Sequence, residues 1–458
     1  RALELGASVL VLEKGSAIDY PCNTRYSGGI VHVGFKDLTA PISDRHAALA
    51  PDAARDAATE HMSVLAEESD TALHWLADHG GRFESIGDFE FLRWVMAPAR
   101  PRQPGLDWQG HGPDQLLQRL AHDVATAERG AISRGSKAHA ISRGPNQRLT
   151  VHTEHAQTEL AGGELVGTPE PVDAGAVVIA DGGFQANLDL LREHIGPTPE
   201  HWLQRGAATG FGDGIKMAIA LGAMTVGMDR FYGHVLAREA LQDDRLWPYP
   251  IVDPVAEVSV VVDSSGHRVA DEGMGGVHLA NQLAKRDNPQ DTSVVFDDDI
   301  WHSVAADNRY PPCLNPSFVE TGGTVHQAST LARLAQALGI NPTTLENTVA
   351  RHNAAVDSGN WQGLQPMRTE GARPPHPIRM PPFRAIRLCV GITYTLGGIA
   401  TDPNTRVRGV NGAPIPGLYA VGAAAGGYEG GVRARYVGGL IKALITGLRA
   451  GETAVADL

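Results

Sequence analysis

The run from Gly391 to Gly451 constrains this chain more than any other stretch. It opens with Thr395-Leu396-Gly397-Gly398, where two glycines let the backbone turn tightly or approach a ligand. Thr405 to Pro416 reads as a short strand pair turning at Asn411-Gly412. Gly417 to Gly422 is an apolar strand ending on glycine. Gly426, Gly427, Gly430, Gly431, Gly438 and Gly439 then surround Tyr428, Arg433, Arg435 and Tyr436. After Gly439 an apolar helix begins with Leu440, Ile441, Leu444, Ile445 and Leu448. A strand, a glycine loop and a helix start in series offer free N–H groups and a positive dipole end to an electron-rich or anionic group. Composition alone fits a generic glycine-rich connection equally well.

The chain's 458 residues leave room for roughly two or three domains. A formal charge of −13 gives no basic footprint for nucleic acid and is common in cytoplasmic proteins, so a cytoplasmic location is expected. Cys22, Cys313 and Cys389 are far apart and form no C-x-x-C pair, so neither a disulfide framework nor a metal knuckle is indicated. His61, His74 and His79 lack a convincing ligand spacing with carboxylates, and no metal is expected. No apolar run is long enough to cross a bilayer, and no signal peptide is read at Arg1.

Ser8 to Leu12 reads as a strand that ends in Glu13 and Lys14. In a dinucleotide-binding βαβ unit the second strand ends in an acid that bonds the ribose hydroxyls, and Glu13 suits that place. The G-x-G-x-x-G turn would lie about 20 residues earlier, so the first strand and phosphate loop are expected to be missing. Asn23, Thr24 and Ser27 put short polar groups before Gly28-Gly29, which also suits a polar turn leading into a strand. Residues 43 to 80 carry two helical patterns, Phe83 to Met96 a strand region, and Pro113 to Ala127 a helix. Ala131 to Val172 alternates like a small antiparallel ribbon, with turn signals at Gly144-Pro145 and Gly162-Gly163. Ala174 to Ala180 reads as a buried strand followed by Asp181-Gly182-Gly183, and Gly210 to Gly214, with Asp213, opens a helix. Val258 to Val262 is expected as a strand, Thr330 to Val356 as a helical pair, and Pro374 to Pro382 as a proline-rich hinge.

The order GG-I-x-x-D, then G-x-P-I-P-G-L-Y-A-x-G, then the glycine pairs and Tyr436-Val437-Gly438-Gly439, resembles the closing segment of the fumarate reductase/succinate dehydrogenase-like flavoprotein family. Ile392 to Gly398 and the Tyr-Val-Gly-Gly ending look most like its tricarballylate dehydrogenase and 3-ketosteroid dehydrogenase relatives. The segments Cys22 to Gly34, Ala180 to Asn187 and Ala207 to Gly222 extend the resemblance over most of the chain.

The resemblance implies an α/β protein with a Rossmann-like FAD-binding domain, residues 1–228 and 389–458, and an inserted α+β capping domain, residues 229–388. It implies non-covalent FAD near Glu13, Lys14, Asn23, Thr24, Ser27, Gly28, Gly29, Ala180, Asp181, Gly182, Asp213, Gly422, Ala423, Gly439 and Leu440. Thr395, Gly397 and Arg433 are the expected substrate contacts, the Thr395–Gly398 amides being candidates for a substrate oxyanion. The implied activity is dehydrogenation of a CH–CH bond next to a carbonyl or carboxylate, or the reverse reduction, with an unidentified electron partner. A tyrosine, Tyr436 or Tyr394, is expected to take the proton, with Arg433 or Arg435 lowering its pKa. The family's proton-donor arginine is absent after Glu272, and His278 is the nearest alternative. Thr393 and Tyr436 replace carboxylate-gripping residues of fumarate reductases. The missing phosphate loop, the absent arginine and Ala423, where relatives carry glutamate, leave an alternative open: a flavin-deficient, non-redox homologue with a binding or structural role.

Overall fold

The computed structural model describes residues 1–49, 59–144, 146, 148–155, 171–309 and 312–458. Its backbone is organised by one long strand, Phe383–Thr395. Leu388, Cys389 and Val390 within it are completely buried, which is why the sequence here is a continuous apolar run rather than an alternation. The strand pairs antiparallel with Phe231–Ala237, Ser293–Phe296 and His326–Ala328, and parallel with Leu203–Gln204. Val260–Val262 extends the sheet beyond Ser293–Phe296. The expected strand at 258–262 is thus shorter, because Asp253–Val258 is helical.

Two smaller sheets carry parallel pairings. Val9–Glu13 runs beside Gly130–Arg134, and Pro414–Ala420 beside Val177–Ile179. Arg406–Arg408 folds back on Pro414–Ala420 as the expected hairpin. Residues 130–134 therefore leave the expected antiparallel ribbon, which consists of Ser136–Arg143, Leu149–His155 and Val172–Ala174. The turn positions Pro145 and Gly162-Gly163 lie outside the described residues. The strand expected to be buried at 174–180 is only Val177–Ile179, with Val178 at 41% exposure, because it is paired on one edge among the described strands. Phe83 to Met96 is not one strand but two short ones, Phe83–Glu84 and Val95–Met96, paired across a turn.

The helices fall close to their expected places. Ile42–Leu49 and Thr59–Asp78 carry the first two patterns, with residues 50–58 outside the described set. Gly112–Thr126 follows, and the terminal helix Gly439–Ala456 packs along Thr59–Asp78. Leu331–Leu338 and Pro342–Ser358 form the helical pair. Thr330 and Asn341 accept from the third residue of each helix, and both helices stop at glycines in the left-handed region. Among the described residues no helix is long and apolar enough to cross a membrane.

Between the sheet and this helical pair lies a dry charge cluster. Glu272, with no exposed surface, accepts from Arg268 Nη2 at 2.7 Å, from Arg368 Nη1 at 3.1 Å and from the Val261 amide at 2.9 Å. It ties residues 258–272 to the segment around Arg368.

Candidate active site

Pairing of Phe231–Ala237 with Phe383–Thr395 builds the floor of the site. Tyr232 lies opposite Tyr394 and Gly233 opposite Ile392, so Thr393 is an extra residue bulged from the long strand. The Thr393 carbonyl accepts from Asn23 Nδ2 at 3.2 Å, and its hydroxyl accepts from Arg205 Nη1 at 2.8 Å. Arg205 also donates to the Pro248 carbonyl at 3.4 Å and meets no carboxylate at ion-pair distance among the described residues. Burial pulls its pKa down. At nearby Tyr249 burial opposes ionisation, but Arg102, Arg100 and Arg205 outweigh it and leave the phenol more acidic than usual. This corner of the site is therefore electropositive.

Tyrosines line the other side. The Tyr232 and Tyr436 rings are stacked with centroids 4.0 Å apart, and Tyr394 lies 5.7 Å from Tyr232. Tyr436 also meets His32 and Phe35 edge-on. A cleft of ≈ 290 Å³ opens above it, lined by Phe35, His278, Arg433, Arg435 and Tyr436. The structure thus brings together four residues expected from sequence. Arg435 also points Nη1 at the Met62 sulfur, 3.9 Å away, while Arg433 is exposed. Burial, then Arg230, lowers the His278 pKa.

Tyr394 is placed differently from the expectation. Its hydroxyl donates to both Glu429 oxygens, at 2.8 and 2.9 Å, and Lys442 Nζ lies 2.6 Å from Glu429 Oε2. Burial and then Glu429 raise the Tyr394 pKa well above its usual value. A phenol held as a donor to a carboxylate is a poor base, so this geometry argues against Tyr394 as proton acceptor. The expectation for Thr395 and Gly397 is corrected too. Thr395 is fully buried, with its hydroxyl accepting from the Phe184 amide, and the Leu396 amide donates to the Arg230 carbonyl. A Cβ on Gly397 would lie 2.1 Å from the Gly227 carbonyl. Protein fills the space where a substrate oxyanion was expected.

The residues present fit a flavin dinucleotide. Glu13 closes its strand, with Oε1 accepting from the Gly15 amide at 2.7 Å, and burial raises its pKa. Lys14 pairs with Asp213 at 3.7 Å, and Asp181 accepts from the Gly214 amide at 2.7 Å, which fixes the start of the helix Asp213–Ala220. Side chains added at Gly28 or Gly182 would meet open space, apart from Ile30 at 3.8 Å from the former. Gly182 lies just beyond the carboxyl end of Val177–Ile179, and ligands of α/β sheets bind beyond such strand ends. The first turn of Gly439–Ala456 has no side-chain cap, so its Gly439 and Leu440 amides suit an electron-rich ring edge. Gly438 there needs to be glycine: φ is +124°, and a Cβ would sit 2.2 Å from the His32 carbonyl. Gly422 donates its amide to Thr446 Oγ1 at 3.0 Å, and Ala423 packs against the cluster of Tyr394, Leu396 and Ala434. Asn23 and Ser27, expected to bind cofactor, spend their side chains on Ala207, Thr393, Thr24 and Gly29, so they shape the Asn23–Gly29 loop.

Sequence reasoning missed Tyr232, His234, Asp253, Arg205, Glu429 and Lys442. The i, i+2 spacing of Tyr232 and His234 on a strand was the one available signal.

His32 gives a pH prediction. It is 3% exposed, accepts from the Phe35 amide at 3.0 Å, and burial lowers its pKa to about 4. The unfolded chain binds a proton near 6.5 and the folded one does not until about 4, so stability falls as pH drops through that window. The loss is expected to reach about 3 kcal/mol at pH 4. Urea unfolding of parent and His32→Phe at pH 7 and 4.5 checks it: the parent's extra acid sensitivity should vanish in the variant.

The chain is 25% identical over 437 residues to the probable fumarate reductase Ifc3 of Shewanella frigidimarina (strain NCIMB 400), covering 94% of this chain and 68% of that protein. It is 29% identical over 381 residues to the 4-oxocyclohexanecarboxylate 2-dehydrogenase of Sinomonas cyclohexanicum, covering 76% of this chain and 62% of that one. The fold is similar to that of the 3-ketosteroid-delta4-(5alpha)-dehydrogenase from Rhodococcus jostii RHA1, solved with 4-androstene-3,17-dione. The TM-score is 0.70 at 20% identity, over 99% of this chain and 93% of that one. The profile of the FAD binding domain family matches residues 1–435, and this chain belongs to that family.

Proposed function

We propose that this protein is an FAD-dependent oxidoreductase acting on a CH–CH bond beside a carbonyl or carboxylate. The observation that carries the reading is the cleft, where Tyr436, just before an uncapped helix start, meets His278 and two arginines. Residues 1–228 and 389–458 hold the cofactor in this reading, and 229–388 cap it. When bound, FAD accepts or returns two electrons as hydride. Glu13, Lys14, Asp181, the Gly28 and Gly182 faces and the Gly439–Leu440 amides are the groups that hold it.

The chain's own groups handle the substrate. Tyr436 donates its hydroxyl to the substrate's carbonyl oxygen, where negative charge develops as the neighbouring C–H bond breaks. Arg205 supplies a cation at the opposite corner for a carboxylate or a second carbonyl. Phe35 and the stacked tyrosines keep water from the reacting carbons. The substrate lies among oxocyclohexanecarboxylates, polycarboxylates such as fumarate or tricarballylate, and steroidal enones. The electron partner is a separate donor or acceptor.

The test is the absorption spectrum of the purified protein, before and after anaerobic addition of 4-oxocyclohexanecarboxylate or 4-androstene-3,17-dione, with fumarate added to the reduced protein. A flavin spectrum that one probe bleaches or restores supports the reading. Protein that stays colourless after reconstitution with FAD sinks it. Tyr436→Phe is expected to retain flavin and to lower turnover about 100-fold, the cost of one oxyanion donor.

A further inference from the structure

Beneath the Tyr232–Tyr436 stack runs a chain of polar groups that the proposed reaction does not yet use. The Tyr232 hydroxyl lies 3.2 Å from His234 Nε2, and His234 Nδ1 lies 2.5 Å from Asp253 Oδ2. The other Asp253 oxygen accepts from the Val235 amide at 2.7 Å. Asp253 opens the helix Asp253–Val258, so the carboxylate is fixed against the strand that carries both rings. Glu257 follows one helical turn later, accepts from the Gly276 amide and pairs with Arg373 at 3.2 Å.

We propose that Tyr232 is the group that takes the substrate proton, with His234 as its relay base and Asp253 as the residue that fixes the His234 tautomer. This rests on the CH–CH redox reading above. In the dehydrogenation direction the proton on the carbon beside the carbonyl passes to the Tyr232 oxygen. The Tyr232 proton moves to His234 Nε2 in the same step. The electron pair of the broken C–H bond becomes the new C=C bond as the neighbouring carbon gives up its hydride to FAD, the two-electron acceptor. His234 is left as an imidazolium against the Asp253 carboxylate and returns its proton to solvent. In the reverse direction each proton retraces the path.

The environment fits each role. Burial, then Tyr436, raises the Tyr232 pKa well above 10, so this phenol cannot act as a base unaided. Burial lowers the His234 pKa; Asp253 opposes this and Arg205 reinforces it. Those two, with Tyr232, are the ionisable groups set against the ring. His234 is therefore a neutral imidazole at neutral pH, able to accept at Nε2 while its Nδ1–H donates to Asp253.

Two measurements decide the proposal. The first needs no substrate: 15N NMR of the FAD-loaded protein, with the His234 signals assigned by their loss in His234→Gln. A neutral ring protonated on Nδ1 is expected at pH 7. The Nε2–H tautomer, or an imidazolium, overturns the relay, because neither can accept the Tyr232 proton. The second is the anaerobic rate of flavin bleaching by 4-oxocyclohexanecarboxylate. His234→Gln and Asp253→Asn are expected to lower the limiting rate about 100-fold with the half-saturating concentration little changed. His234→Gln should also lose the acid limb of the rate–pH profile, below pH 6.5 in the parent. Unchanged limiting rates overturn the relay. If either variant fails to fold, Tyr232→Phe takes its place with the same expected loss. If the parent protein binds FAD but no probe bleaches or restores it, the CH–CH reading fails, while the NMR tautomer still decides the relay geometry.

Discussion

Glu272→Gln is expected to destabilise the folded protein by about 3–5 kcal/mol, because it removes the carboxylate that pairs with two buried guanidinium groups. Arg268 and Arg368 have side chains only 3% and 1% exposed, and Glu272 has none exposed. Glutamine keeps the shape but turns an NH₂ group toward donors that need an acceptor. Water cannot take over, since the cluster is closed by the Val261 amide and by the Pro366, Ser259 and Glu257 carbonyls. Urea unfolding of parent and variant at neutral pH measures the difference. A companion variant with Arg268, Glu272 and Arg368 all replaced by leucine or methionine should recover most of the loss, because apolar packing commonly matches a buried charge cluster. A Glu272→Gln deficit below about 1 kcal/mol would show that the cluster relaxes or admits water.

How much of this was legible in the sequence differs from element to element. The terminal stretch could be read because its signals are local: the hairpin turn, the glycine loop and the start of the helix at Gly439 all lie within one continuous run. His278, Arg433, Arg435 and Tyr436 were also found, and the structure gathers them on one cleft. Arg205, Tyr232 and His234 escaped because their meaning depends on a strand more than 150 residues away and on a bulge at Thr393 that no local pattern marks, and Asp253 because it gains its meaning only from His234. The error at residues 174–180 has a similar cause. Val177, Val178 and Ile179 look like a buried strand, but apolar character does not say how many edges are paired. Glu429 was hidden among glycines, and Lys442 looked like an ordinary polar residue of an amphipathic helix.

That last pair gives the second large expected effect, and its pH dependence separates the two partners. Lys442 sits in the first turn of Gly439–Ala456, where the helix dipole disfavours a cation. It is held there, 1% exposed, by Glu429 at 2.6 Å, whose carboxylate also takes the Tyr394 hydroxyl and the Val437 amide at 3.1 Å. Lys442→Met leaves a buried carboxylate with two neutral donors and no cation, and Glu429→Gln leaves a buried ammonium against a positive dipole end. Each is expected to cost about 3–5 kcal/mol at pH 7. Acid relieves the first, since an uncompensated buried carboxylate accepts a proton, so the Lys442→Met deficit should shrink as pH falls from 8 to 5. Alkali relieves the second, since a buried amine sheds its proton, so the Glu429→Gln deficit should shrink as pH rises toward 10. Opposite slopes in urea unfolding across that range establish the ion pair as a charge-compensated unit beneath Tyr394. Parallel slopes would mean that the damage comes from packing alone. Because Val437 leads directly into the Gly438–Leu440 turn, Glu429→Gln is also expected to weaken FAD binding, and dialysis followed by the absorption spectrum reads that loss independently of turnover.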